Sequence, residues 1–246
     1  MAVPAPSAPA ATASFTNAGP AGFWQRAAAW SLDAALVAPF AGWLAWPWIA
    51  APAQAWLDQV RALLQHTGQT MGAAIIDGAS LPRLAITLLH DPALHQATAA
   101  IRSATWAMVW PALLACALLG AIYHVAGECS PWQASPGKRL LGLHAADRRG
   151  RRLGTGRALA RYSAGALSWA TLNLGHLMAT AAPEHLALHD RCSDTRVRAA
   201  RTGLPRWARA WLVLLAIAGL VASAWLAQAA GTVMQAALER ALFWPG

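Results

Sequence analysis

The chain is poor in charge, in lysine, in acid and in cysteine, and each shortage excludes something. Charged residues are 12% of the 246, roughly half the quarter that soluble domains carry. Hydrophobic residues supply 57% and the mean hydropathy is +0.36, which is membrane composition and excludes an ordinary water-soluble domain. Of the 19 basic residues all but one, Lys138, are arginine, and ten acids leave a net charge of +9. An Ala- and Arg-rich, Lys-poor chain fits a GC-rich bacterial genome. The three cysteines, Cys116, Cys129 and Cys192, form no CxxC pair and no even set, so they read as reduced bystanders. Residues 1–20 lack both a basic start and an apolar core; they read as a disordered tail, not a secretory signal.

What is present is a series of apolar runs with basic residues between them. Nucleic-acid binding asks for basic residues interleaved with exposed aromatics on a soluble face. Clustering between apolar runs is instead what cytoplasmic loops show, so no nucleic-acid partner is expected.

The first run predicts a membrane helix from Phe23 to Trp48, with Trp24 and Trp30 at one end and Trp43, Trp46 and Trp48 at the other. Trp24 to Trp46 covers about 33 Å, enough to cross a bilayer core. Pro39 and Pro47 are expected to kink or end it. Residues 51–103 read as a long extracytoplasmic connection. In it Trp56, Leu57, Val60, Leu63 and Leu64 follow helical spacing, as in a surface-lying amphipathic helix, a spacer rather than a lid. A second membrane helix is expected over Ala104–Val125 and a last one over 205–231, followed by a short amphipathic tail over 232–246.

The middle is open to two readings. Residues 127–157 hold Lys138, Arg139, Arg148, Arg149, Arg151, Arg152 and Arg157, and residues 181–206 hold Arg191, Arg196, Arg198, Arg201 and Arg206. If the intervening 158–182 spans the membrane, one basic loop lies on the outer side, against the charge rule. A re-entrant hairpin broken near Asn173–Gly175 keeps both loops cytoplasmic. The loops also suggest a small cytoplasmic β-element. Lys138–His144 alternates loosely, Asp147–Gly150 offers a turn before Arg151, and Thr195–Val197 is a short strand; such an element favours the hairpin.

Two charges stand where a membrane helix should carry few. Arg26 and Asp33 are seven residues apart, close to two helical turns, so they share a face. A carboxylate in bare hydrocarbon costs at least about 2.5 kcal/mol, so Asp33 must meet protein or water. Arg161 is its expected partner. A structural lock is favoured over an ion path, because arginine does not release its proton. His189–Asp190 reads either as a pH sensor or as a corner in which Asp190 caps, or pairs with Arg139 or Arg191. His176, His185, His189 and Cys192 lack zinc spacing, so neither metal nor cofactor is expected. Gly137–Lys138 is no P-loop, since Trp132 stands where its first glycine belongs; Gly137 reads as a strand start. No catalytic constellation is visible, and no enzyme is expected.

Three blocks in order resemble the RDD family of bacterial multi-pass membrane proteins. They are Arg26 with Asp33 in Phe23–Asp33; Ser135-Pro136-Gly137-Lys138-Arg139-Leu140-Leu141-Gly142-Leu143 with Arg157, Arg161 and Tyr162 downstream; and Leu188-His189-Asp190-Arg191-Cys192-Ser193-Asp194-Thr195-Arg196-Val197. The resemblance covers residues 22–198. The 51–103 loop is longer than the family usually shows, Cys192 and Ser193 depart from its Leu or small apolar residues, and the helix after 206 lies outside the shared domain.

Together these readings imply an all-α integral inner-membrane protein with a cytoplasmic N-terminus. It has three to four membrane helices, one of them a candidate re-entrant hairpin, plus the β-element. The resemblance implies transport or permeation of ions or small solutes, in which case a homo-oligomer is expected. The alternative is a scaffold or assembly factor docking a membrane protein partner or anionic lipids through its Arg-rich face.

Overall fold

Three stretches free of Asp, Glu, Lys and Arg organise the chain: residues 34–57, 103–127 and 210–238, which are 24, 25 and 29 residues long. As helices they run about 36 to 44 Å, enough to cross a hydrocarbon core. The computed structural model describes residues 19–171 and 173–243 and makes each stretch part of a long helix. These are α1 (Phe23–Ile76), α3 (Pro92–Cys129) and α8 (Arg206–Phe243), the three helices among the described residues that are long and apolar enough to cross a membrane. Phe40, Trp43, Leu118, Ile122, Leu220 and Trp225 stand exposed along them, as side chains facing lipid do. Between them lie β1 (Gly19–Pro20), α2 (Leu81–His90), α4 (Pro136–Leu140), β2 (Leu143–Asp147), α5 (Thr155–Ala170), α6 (Leu174–Leu177), α7 (Leu188–Ser193) and β3 (Thr195–Ala199).

The chain divides into two compact units. The first holds the described residues up to Pro39 and Ala117–Leu212; the second holds Phe40–Cys116 and the chain from Val213. Charge divides with them. Arg61, Arg83, Arg102 and Arg240 belong to the second unit and are matched by Asp58, Asp77, Asp91 and Glu239. The other fifteen basic residues face six acids in the first unit, which therefore carries the whole net charge of +9.

In the first unit the strands form an antiparallel sheet in the order β1-β3-β2, with Leu143 opposite Ala199 and Asp147 opposite Thr195. Its core is built from small residues, Ala21, Ala28, Ala29, Ala199 and Ala208, around Leu141, Leu143 and Val197. Small side chains let the start of α1, the sheet and the start of α8 approach closely. Gln25 donates from its amide to the carbonyls of Arg201 and Gly203 at 3.0 and 2.8 Å, and Trp211 donates to Ser31 Oγ at 3.0 Å.

Several expectations are corrected. Residues 51–103 are not a loose connection carrying a separate surface helix, for Trp56, Leu57, Val60, Leu63 and Leu64 all belong to α1. That helix continues through Pro39, Pro47 and Pro52, and beyond them the Ala-rich run favours it. Gln54 reaches Asp58 at 3.1 Å one turn on. In the second unit, Gly68 lies against Ala237 and Met234, and Gly72 against Ala241, a small-residue contact between α1 and α8. The helix stops at Gly78 (φ +63), where the N–H groups of Gly78 and Ala79 return to Ile75 and Ala74. Asp91 then caps α3 by accepting from the Ala93 N–H at 2.8 Å, so that helix starts at Pro92 rather than near Ala104. The expected tail after 231 is the last part of α8, while Trp244 lies outside the described residues.

Two further corrections concern the first unit. Residues 138–140 are helical, because Pro136 in the first turn starts α4, and the strand begins only at Leu143. Residues 1–18 of the expected tail lie outside the described residues, but Gly19 and Pro20 pair with Ala199 and Arg198. The helix over 158–182 is broken at the place the hairpin reading names. Helix α5 ends at Ala170, Asn173 takes φ +66, and α6 follows. Strands β2 and β3, on either side of this segment, pair directly.

Candidate functional site

Each charge of the apolar run finds a partner in the first unit, and for Asp33 it is not the one the sequence suggests. Asp33 is 1% exposed. Its Oδ1 accepts from the Tyr123 hydroxyl at 2.8 Å and the Gly137 N–H at 2.7 Å, and its Oδ2 from Ser135 Oγ at 2.5 Å. All three donors are neutral, so the expected Asp33–Arg161 pair is not formed. Gly137 is no strand start. It lies in α4, where a side chain would meet the Ala29 carbonyl oxygen and the Asp33 carboxylate. The glycine is needed for this close approach rather than for backbone freedom.

Arg161, 5% exposed, is held by two carboxylates. Its Nη1 donates to Asp190 Oδ1 and, at 2.7 Å, to Thr195 Oγ1, while its Nε reaches Glu128 Oε1 at 3.3 Å. Glu128 also accepts from Lys138. Asp190 accepts from Arg26 Nη1 at 2.5 Å and from the Ala187 N–H at 2.9 Å. It caps α7, as one reading of the corner expects, but its cations are Arg26 and Arg161 rather than Arg139 or Arg191. Arg26 donates further to the carbonyls of Ala21 and His185 at 3.0 and 2.8 Å. One buried chain therefore runs Arg26–Asp190–Arg161–Glu128–Lys138, tying α1, α7, α5, α3 and α4 together. Burial raises the Asp190 pKa, but the Arg161 and Arg26 guanidiniums outweigh it and hold the carboxyl below the ordinary range.

The remaining predicted residues have structural places. Gly142 turns the chain from α4 into β2 at φ +67, and its carbonyl accepts from the Ala200 N–H at 2.9 Å. Thr195 Oγ1 lies 2.8 Å from Ser193 Oγ. His185 Nδ1 is 2.9 Å from the Ala179 carbonyl and Cys192 is exposed, so neither joins the adjacent rings of His176 and His189. Glu128, Tyr123 and Ser135 were missed as site residues. One signal was available: Glu128 is an acid closing an otherwise uncharged apolar run.

His189 supplies a pH dependence. Its Nε2 is 3.6 Å from Asp190 Oδ1 and its ring centroid 5.3 Å from that of His176. Arg161 of α5 and Arg26 of α1 also act on it. Burial first, then Arg161, holds its imidazole well below the ordinary 6.5, and burial lowers His176 as well. Both hold a proton less readily in the folded chain than in the unfolded one, whose imidazoles titrate near pH 6.5. Below that pH the folded state binds fewer protons, so stability is lost as pH falls and is flat above it. The melting temperature is expected to drop between about pH 7.5 and 5, with a shallower slope in His189→Gln. An unchanged slope in the variant counts against this assignment.

A multi-pass membrane protein whose first unit holds a buried ionic chain and a three-stranded sheet is the class this fold and site define. The chain belongs to the RDD family, whose family model matches residues 20–194. No match was found among curated proteins or among solved structures.

Proposed function

We propose that this RDD-family chain is a non-enzymatic scaffold of the bacterial inner membrane, with its N-terminus cytoplasmic and its Arg-rich first unit as the docking face. The observation that carries this reading is the closure around Asp33. Its oxygens are engaged by Tyr123, Ser135 and Gly137, and the neighbouring charges are held in the Arg26-to-Lys138 chain. A carrier keeps polar groups available at the midplane, often on broken helices. The stretches 34–57, 103–127 and 210–238 contain no Asp, Glu, Lys or Arg. The concentration of basic residues in the first unit supports its cytoplasmic placement.

The second reading is permeation of ions or small solutes. It is favoured by a buried carboxylate on a membrane-entering helix, the usual mark of an ion path. Proteoliposomes under an imposed sodium or proton gradient separate the two. The scaffold is expected to be silent both as wild type and as Asp33→Asn. Wild-type flux that Asp33→Asn abolishes overturns it in favour of permeation.

A further inference from the structure

The arginines of the first unit are not equivalent. Arg148 pairs with Asp194, Arg151 with Asp147 at 2.9 Å, Arg157 with Asp147 at 3.6 Å and Arg196 with Glu184 at 2.9 Å. Their charge is largely met within the protein. Arg139, Arg149, Arg152, Arg191, Arg201, Arg206 and Arg209 are exposed, and no acidic partner meets them among the described residues. Arg139, Arg201, Arg206 and Arg209 share a second property, for each sits by the end of a long helix.

Arg206 and Arg209 lie in the first turn of α8, directly before the uncharged run that begins at residue 210. Arg201 is in the loop that Gln25 pins to the first turn of α1. Arg139 is in α4, which sits on the last turns of α3: the Ala134 N–H returns to the Gly127 carbonyl at 3.1 Å, and a side chain at Gly127 would meet Ser135. Beside it are apolar groups in contact with nothing that buries them. Trp132 is 56% and Leu140 66% exposed, and the Arg139 guanidinium lies 3.9 Å over the Trp132 ring.

We propose that Arg139, Arg201, Arg206 and Arg209 form a belt that binds the phosphates of anionic phospholipid headgroups, with Trp132 and Leu140 inserted at the interface beside them. The inference rests on the scaffold reading and names its partner. Two observations point to lipid rather than to an acidic protein. Arg206 and Arg209 directly precede the uncharged run that begins at residue 210, and Arg139 lies on the element that packs on the end of the run 103–127, where headgroups meet a spanning helix. A tryptophan and a leucine accompany Arg139, as at membrane interfaces. All four are arginine, whose planar fork matches phosphate oxygens two at a time, as it does carboxylate oxygens.

The test uses the full chain in bilayers of equal phosphatidylglycerol and phosphatidylcholine, extracted gently and weighed with its retained lipids by native mass spectrometry. The wild type is expected to retain the anionic lipid with a preference of about tenfold or more. R139Q/R201Q/R206Q/R209Q is expected to lose most of that preference, and R149Q/R152Q, on the turn between β2 and α5, to keep it. The pairs R139Q/R201Q and R206Q/R209Q, each expected to lose part, serve if the fourfold variant does not accumulate. A wild type without preference overturns the inference, as does a fourfold variant that keeps it or a control that loses as much. An Asp33-dependent flux with the preference intact instead overturns the scaffold and leaves the belt standing.

Discussion

Arg161→Met is expected to be the most damaging single substitution in the first unit, costing about 3–5 kcal/mol of stability. The side chain is 5% exposed and sits between two carboxylates that are themselves buried, Asp190 and Glu128. Methionine keeps much of the volume and removes the charge, so the loss is electrostatic. Arg26 and Lys138 remain at the outer ends of the chain and leave each carboxylate with one cation instead of two. Thr195 Oγ1 loses its donor as well. For a chain of this length the melting temperature of the detergent-solubilised protein should fall by about 6–20 °C. Arg161→Met/Glu128→Gln should lose less than the two single changes added together, since the pair shares one interaction. A wild-type melting temperature in Arg161→Met removes the ionic chain as the feature that holds the first unit together.

Gly137→Ala should follow it, with a cost of about 1–3 kcal/mol from a single methyl group. A Cβ at 137 would stand 2.7 Å from Asp33 Oδ1 and also against the Ala29 carbonyl. Neither can give way. The Ala29 oxygen is helix backbone, and Asp33 is tethered by Tyr123 and Ser135. Relief requires α4 to lift, which breaks the Gly137 N–H bond to the carboxylate. Gly154→Ala is the matched control, since a Cβ there meets nothing within 4 Å, and it should be neutral in the same melting experiment. Equal melting of the two variants would show that the approach of α4 to α1 is not tight.

The special character of Arg26 and Asp33 was legible because a seven-residue spacing on a helix and the cost of charge in hydrocarbon are local facts. Their partners were not. Opposite charges suggested Arg161 for Asp33, yet three neutral donors took it, two of them from α4 and the residue before it. Thr195–Val197 was readable as a strand from its β-branched residues. Lys138–His144 was misread because Ser135-Pro136 starts a helical turn that loose alternation conceals. Helix α1 was underestimated in length because prolines at 39 and 47 count as breakers in water. Inside a membrane, neighbouring groups make good the lost hydrogen bond.

From the sequence alone follow the membrane class, the apolar runs that cross, the basic segments between them and the family blocks. All of these depend on composition and short-range periodicity. The tertiary structure alone decided which cation meets which carboxylate, because those contacts join residues far apart in the chain: Arg26 to Asp190 over 164 positions, Asp33 to Ser135 over 102. In a buried, low-dielectric site the pairing is set by which groups approach within hydrogen-bond distance. Gly137, which brings α4 against α1, helps set that distance for Asp33.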